Sequence, residues 1–313
     1  MALSSDPGAL VPAAASGDRR ALARLITLME EEGTGSAAAL RDAFAAARPA
    51  YRIGITGAPG SGKSTLTDRL IAHARQNGET IGVLAVDPTS PFSGGAVLGD
   101  RVRMQDHVLD DRVYVRSMAS RGHLGGLSEG APKALIAMET AGFDRILIET
   151  VGVGQDEVEV MSVVDTVLVV VTAGWGDGVQ AAKAGILEIG DLFVVNKADR
   201  PGASETSADL RAMIALGGEL EWEPPIIETI ASTGVGMPEV WDAIERHRAH
   251  LGVNGLEEGR RVRRLAELRT ALASRFRDRA VRALGGGAGA DLAAAVESGD
   301  LDPWSAADQL CDF

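Results

Sequence analysis

The sequence predicts an α/β fold, a doubly wound and mostly parallel sheet with helices before it and a helical arm after it. Three observations predict it. Short apolar, β-prone runs recur at Tyr51–Thr56, Ile81–Val86, Arg112–Arg116, Arg145–Thr150, Thr166–Val171, Leu192–Val195 and Ile226–Ile230, as strands buried in a parallel sheet should. The first of them runs straight into Gly57-x-x-x-x-Gly62-Lys63-Ser64. The last is followed, from Leu256 to Leu284, by apolar residues at helical spacing in an arginine-rich stretch.

Composition bounds the rest. A chain of 313 residues has room for one large domain with appendages, and 45% hydrophobic content is ample for its core. A net charge of −13 argues against nucleic acid as a partner, because phosphate backbones need a basic face. Cys311 stands alone, which excludes a disulfide framework or thiolate cluster and suits a reducing compartment. The run Leu10–Ala15 is short and broken by Pro12, and Asp6 precedes any basic residue, so no signal peptide or membrane span is expected. A cytoplasmic location follows as the expectation.

Taken in order, residues 1–17 are small and polar, and little order is expected there. Asp18 is placed to cap a helix carrying Leu22, Leu25, Ile26 and Met29. A second short helix is expected to carry Leu40 and Phe44, and the two helices to form a packing collar before the main domain. Gly57, Ala58, Pro59, Gly60, Ser61, Gly62, Lys63 and Ser64, with Thr65 following, form a phosphate-binding loop. Its glycines let backbone N–H groups curl around a phosphate, and the next helix points its positive end at the same anion. Lys63 is expected at the β/γ-oxygens, and Ser64 on Mg²⁺. Of the basic residues only positions 63, 133, 183 and 197 are lysine, and two of these fall in nucleotide motifs, where a compact ammonium is wanted.

The helix after the loop should stop at Asn77-Gly78. The strand ending in Asp87 puts a carboxylate on the ligand edge of the sheet, a candidate for the Mg²⁺ shell. The glycine-rich segment 92–103, with Asp100, is a candidate switch. The strand to Thr150 delivers Glu149 and then Val151-Gly152-Val153-Gly154-Gln155. An acid at a strand end with a glycine N–H just beyond suits metal coordination and sensing of the γ-phosphate, and Gln155 could position attacking water. Lys183, on a helix after the next strand, is the other side chain poised to help.

The strand Leu192–Val195 ends in Asn196-Lys197-Ala198-Asp199. Guanine offers N1–H and N2–H₂ side by side to one carboxylate, whereas adenine presents an acceptor at N1. Asp199 therefore selects guanine, while Asn196 and Lys197 brace the base and the phosphate loop. A last strand leads to Ile230, Ala231 and Ser232, where a backbone N–H can reach guanine O6. The expected ligands are GTP or GDP with Mg²⁺. The division read from the sequence is an N-terminal helical extension (1–49), a GTPase domain (50–251) and a C-terminal arm (252–313), with Gly252–Gly255 as linker. Nine Arg against four acids lie between Leu251 and Leu284, and the apolar stripe Val262, Leu265, Leu268, Leu272, Phe276 and Val281 is expected to dimerise.

These segments jointly resemble one family, the MeaB/ArgK G-protein chaperones of adenosylcobalamin-dependent acyl-CoA mutases, which includes the methylmalonic aciduria type A protein. The resemblance rests on GDRRALARLITLMEE, GITGAPGSGKST, VLAVDPTSPFSGGAVLGDRVRM, FDRILIETVGVGQDEVEV, VVNKADR and DPWSAADQL. It implies GTP hydrolysis that gates cofactor loading onto a mutase and protects it, and a homodimer through the C-terminal arm. By resemblance Asp87, Asp100 and Glu149 surround the metal with Ser64, and Asn196, Lys197 and Asp199 bind guanine. The chain departs from the family at residues 176–185, GDGVQAAKAG, and at Ile230, where a serine is common, leaving backbone contacts only from Ala231 and Ser232. Two other readings are a metallochaperone-type GTPase, which calls for Cys/His clusters, and a transport-linked ATP-dependent kinase.

Overall fold

The computed structural model describes residues 7–31, 35–88, 107, 109–120, 130–150, 162–174, 188–218 and 220–311. Seven strands form one sheet: β1 (Tyr51–Thr56), β2 (Ile81–Pro88), β3 (Val113–Ser120), β4 (Arg145–Thr150), β5 (Thr166–Thr172), β6 (Leu192–Asn196) and β7 (Ile226–Thr229). Their order is β3-β2-β4-β1-β5-β6-β7 and every pairing is parallel. The chain winds to one side of β1 through β2 and β3, returns at β4, and then winds to the other side. That reversal lies at β1, so the carboxyl end of β1 is where such a sheet opens a ligand crevice.

Strand residues alternate between two cores with period two. Leu84, Val86, Ile146, Ile148, Val167, Val169, Val171, Phe193 and Val195 enter one. Ile81, Val83, Leu147, Leu168, Val170, Leu192 and Val194 enter the other, with Ile53 and Ile55 of β1. The first face is covered by α1 (Pro7–Ala15), α2 (Arg19–Glu30), α3 (Ser36–Ala46), α5 (Gly130–Thr140) and α6 (Ala203–Ala215). The second is covered by α4 (Lys63–Gln76) and the start of α7 (Met237–Leu284). The helices before β1 thus share a core with the sheet. β1 sends Arg52 rather than an apolar residue toward α5, where Glu139 pairs with it at 3.0 Å, both side chains being nearly buried. Pairing is what makes such burial tolerable.

Several elements differ from expectation. Pro7–Ala15 is helical and buries Val11 and Ala14. Asp18 caps α2 as expected, accepting from the amides of Arg20 and Ala21. In α3 the buried residues are Ala39 and Ala43, whereas Phe44 is 53% exposed. Residues 253–255 of the expected linker are helical, and only Gly252 breaks α7, at φ 57°.

At the amino ends of the strands, Tyr51 O–H reaches Thr166 Oγ1, which lies 2.8 Å from His247 Nδ1 on α7. His247 Nε2 is 3.5 Å from Asp191, whose other oxygen accepts from the Val167 amide. Burial pushes His247 down to about 4, with the neighbouring His250 adding to this. Burial pushes the Asp191 carboxyl up to about 6 and also raises the Tyr51 phenol.

By its contacts the chain divides into two compact units, Met1–Glu257 and Glu258–Phe313. The second holds the remainder of α7, α8 (Ala288–Ser298) and α9 (Pro303–Cys311). Along its part of α7, Val262, Leu265, Leu268, Leu272, Phe276, Val281 and Leu284 are 46% to 65% exposed, so the apolar stripe stays in water. No helix among the described residues is long and apolar enough to cross a membrane.

Candidate functional site

The site begins where β1 ends. Gly57 takes φ 136°, and a Cβ there would lie 2.0 Å from the carbonyl oxygen of Val170 on β5. Gly62 takes φ 98°, and a Cβ there would lie 2.2 Å from Asn196 Nδ2. Both positions demand glycine for conformation and for space. The loop they shape delivers the chain into α4, whose amino end faces the crevice.

Lys63, 6% exposed, folds back over the loop and donates to Gly57 O at 2.6 Å and Ala58 O at 3.0 Å. Ser64 donates to Glu149 Oε1 at 2.6 Å, and Thr67 donates to Glu149 Oε2 at 2.9 Å. Three residues apart on α4, these two hydroxyls face the same way and hold both oxygens of one buried carboxylate. Thr67 was not anticipated from the sequence, although its spacing from Ser64 was there to find it.

The expected base pocket is built on Asn196, which is 2% exposed. Its Nδ2 donates to Ser61 O at 2.8 Å, while its Oδ1 accepts from Thr229 Oγ1 and from the Ala231 amide, each at 3.1 Å. One side chain thus joins the phosphate loop, β6 and the segment after β7. Lys197 sits at φ 60°, left-handed for a non-glycine, and its ammonium donates to Gly60 O at 2.6 Å. The Ala198 amide donates to Thr229 O at 3.0 Å, tying the turn down. Asp199 stands exposed at the rim.

The result is a pocket of about 190 Å³ lined by Gly62 and Thr65, by Asn196, Lys197, Asp199 and Arg200, and by Ile230, Ala231 and Ser232. Arg69 of α4, also not anticipated, donates to Ala231 O at 3.1 Å and to Ser232 O at 2.9 Å.

Of the residues singled out from the sequence, 57–65, Asn196, Lys197, Asp199 and 230–232 are brought to one edge, with Glu149 beside Ser64. The backbone of Asp87 lies near the end of β2, opposite Ala119 of β3 and one residue past the last β4 pairing at Val86. Its side chain lies outside the described residues, as do Asp100, Gly152, Gln155, Lys183 and the divergent segment 176–185. The Ser64 hydroxyl and the Glu149 carboxylate are hard oxygen donors converging on one point, a set that fits Mg²⁺. Among the described residues no three His, Cys, Asp or Glu side chains cluster as metal ligands.

Comparison with known proteins points the same way. Residues 22–284 match the family described as methylmalonyl Co-A mutase-associated GTPase MeaB. A protein of Pyrococcus abyssi named as a GTPase is 46% identical over 299 residues, 94% of this chain and 92% of that one. A methylmalonic aciduria type A homolog, mitochondrial, of Caenorhabditis briggsae is 36% identical over 73% of this chain and 62% of its own length. The crystal structure of a LAO/AO transport system kinase superposes with a TM-score of 0.74 at 24% identity, covering 100% of this chain and 99% of that one. At that identity it speaks to the fold.

Proposed function

Because the chain belongs to the MeaB family of methylmalonyl-CoA mutase-associated GTPases, we propose that its GTPase cycle gates adenosylcobalamin loading onto a B12-dependent acyl-CoA mutase and protects that mutase from inactivation. It is a P-loop GTPase that binds guanine nucleotide and hydrolyses GTP to GDP and phosphate, and it is related to the methylmalonic aciduria type A homologs. The observation that carries the nucleotide reading is the Asn196 side chain, which links the phosphate loop at Ser61 to the base-reading segment at Ala231.

In this reading the amides from Gly57 to Thr65 bind the phosphates, and Lys63 leaves its loop carbonyls for the β/γ-oxygens. Ser64 and Glu149 hold Mg²⁺, with Asp87 and Asp100 completing its surroundings. When bound there, Mg²⁺ would supply neutralisation of the phosphate charge. Thr67 keeps Glu149 aimed, Gly152 reads the γ-phosphate, and Gln155 and Lys183 serve the attacking water and the developing charge. Positioning and charge neutralisation supply most of the acceleration, and with Gln155 and Lys183 as the side chains poised to help, slow hydrolysis by the chain alone is expected. Asn196, Lys197, Asp199 and the 230–232 segment hold guanine.

The exposed stripe from Val262 to Leu284 supports a homodimer through the arm. The lone cysteine suits a cytoplasmic setting.

The test is to measure GTP hydrolysis with and without a purified adenosylcobalamin-dependent acyl-CoA mutase. Stimulation, together with nucleotide-dependent cofactor transfer, is expected. An unchanged rate and unchanged transfer overturn the chaperone role. Light scattering should find a dimer that Leu272→Glu with Phe276→Glu dissociates, and a monomeric parent at micromolar concentration overturns the arm's assignment.

A further inference from the structure

We propose that Arg69 is a positioning residue for guanine selection, acting through the 231–232 peptide. This rests on the reading of the 196–232 pocket as the guanine site. The guanidinium donates through Nε to Ala231 O and through Nη2 to Ser232 O, at 3.1 and 2.9 Å. Two consecutive carbonyls gripped by one planar fork lose the freedom to rotate.

The peptide bond is rigid and planar, and its C=O and N–H point in opposite directions. Pinning the Ala231 carbonyl toward α4 therefore aims the Ser232 N–H the other way. The preceding peptide is already engaged at both ends: the Ala231 amide donates to Asn196 Oδ1, and Ile230 O accepts from the amides of Thr233 and Gly234. Among the described residues the Ser232 amide donates to no group, and Ser232 lines the pocket. It is the amide of this segment left to meet a carbonyl oxygen on the purine. The positive charge on the peptide's carbonyl end polarises the bond and strengthens that donor.

Ile230 explains why the segment needs such a clamp. It offers no hydroxyl, so this segment is held on the pocket by backbone groups and by side chains from elsewhere. Asp199 reads N1 and N2, and Arg69 sets the amide that reads O6. The two halves of the base are then separable by analogues.

The experiment measures calorimetric affinities of the full chain and of Arg69→Met for GDP, IDP and 6-thio-GDP with Mg²⁺. IDP lacks N2 and reports on Asp199. 6-Thio-GDP keeps N1–H and N2 but replaces O6 by sulfur, a weak acceptor. The expected result is that Arg69→Met cuts the preference for GDP over 6-thio-GDP about fivefold, the worth of one hydrogen bond, and leaves the GDP-to-IDP ratio unchanged. A loosened fold would weaken all three nucleotides alike, so equal losses overturn the inference, as does an unchanged GDP-to-6-thio-GDP ratio. A parent chain that binds ADP as tightly as GDP overturns instead the reading of the pocket itself.

Discussion

Replacing Asn196 by alanine tests the joint between phosphate loop and base pocket. The side chain is buried and makes three hydrogen bonds, to Ser61 O, Thr229 Oγ1 and the Ala231 amide. Each is worth about 1 kcal/mol net, and removing one partner leaves the other desolvated, so the total comes to about 3 kcal/mol. In a unit of this size 1 kcal/mol moves the midpoint by roughly 2–4 °C, which gives a fall of about 6–12 °C. Circular dichroism of the nucleotide-free protein reads that shift, and calorimetry with GDP reads the accompanying loss of affinity. Asn196→Asp sharpens the test, because it keeps the acceptor but sets a carboxylate oxygen against Ser61 O. It should retain more stability than alanine at the Thr229 side while binding GDP poorly. A midpoint within 2 °C of the parent, with unchanged GDP affinity in Asn196→Ala, would refute the claim that this side chain couples the two halves of the site.

Asp199→Asn should exchange guanine for xanthine, because an amide donates where the carboxylate accepts. Competition assays should show GDP weakened at least about a hundredfold and XDP tightened, two charged hydrogen bonds being at stake. Gly57→Ala forces a Cβ to within 2.0 Å of Val170 O, so β1 and β5 must part; soluble yield and midpoint should both drop, by more than in Gly60→Ala, where nothing lies within 4 Å. For pH, His247 at about 4 stays neutral in the fold, whereas the unfolded chain protonates near 6.5, so its stability is present above 6.5 and is lost as pH falls toward 4. Asp191, at about 6 against an ordinary 3.8, runs the other way, its contribution present at low pH and lost as pH rises from 3.8 to 6. Urea unfolding between pH 4 and 8 should show His247→Asn flattening the acid-side fall and Asp191→Asn steepening it, by up to about 1.4 kcal/mol per pH unit.

The sheet and the phosphate loop were legible because their causes are local. Gly57 through Ser64 form a loop by their own conformational preferences, and β-prone runs such as Arg145–Thr150 need no distant partner to be recognised. The Asn196-Lys197-Ala198-Asp199 tetrad was legible by its place after a strand. Arg69 was not, because its two acceptors lie 162 and 163 residues away and a lone arginine on a helix carries no mark of them. The exposure of Phe44 was not legible for a related reason. A period of 3.6 marks the faces of a helix without saying which one is buried, and in α3 the alanine face at Ala39 and Ala43 wins because small side chains allow close approach to the neighbouring helices. Residues 252–255 misled through glycine content. Glycine costs a helix only about 1 kcal/mol relative to alanine, which long flanking helical stretches offset, so α7 breaks only at Gly252, where φ is positive.

The same contrast explains how the site divides its labour. In the proposed reading the amides that cradle the phosphates come from one contiguous segment, Gly57 to Thr65, and are fixed by backbone geometry, so they tolerate little change. In the same reading the groups that face the base come from β6, the segment after β7 and α4, and side chains such as Asn196 and Arg69 hold them in register together with the Ala198 amide on Thr229 O. Base selectivity is therefore exposed to substitution at Arg69, outside any recognisable motif, as well as within the 196–199 tetrad. Ile230 itself carries no hydroxyl, so the segment it opens depends on those two long-range clamps.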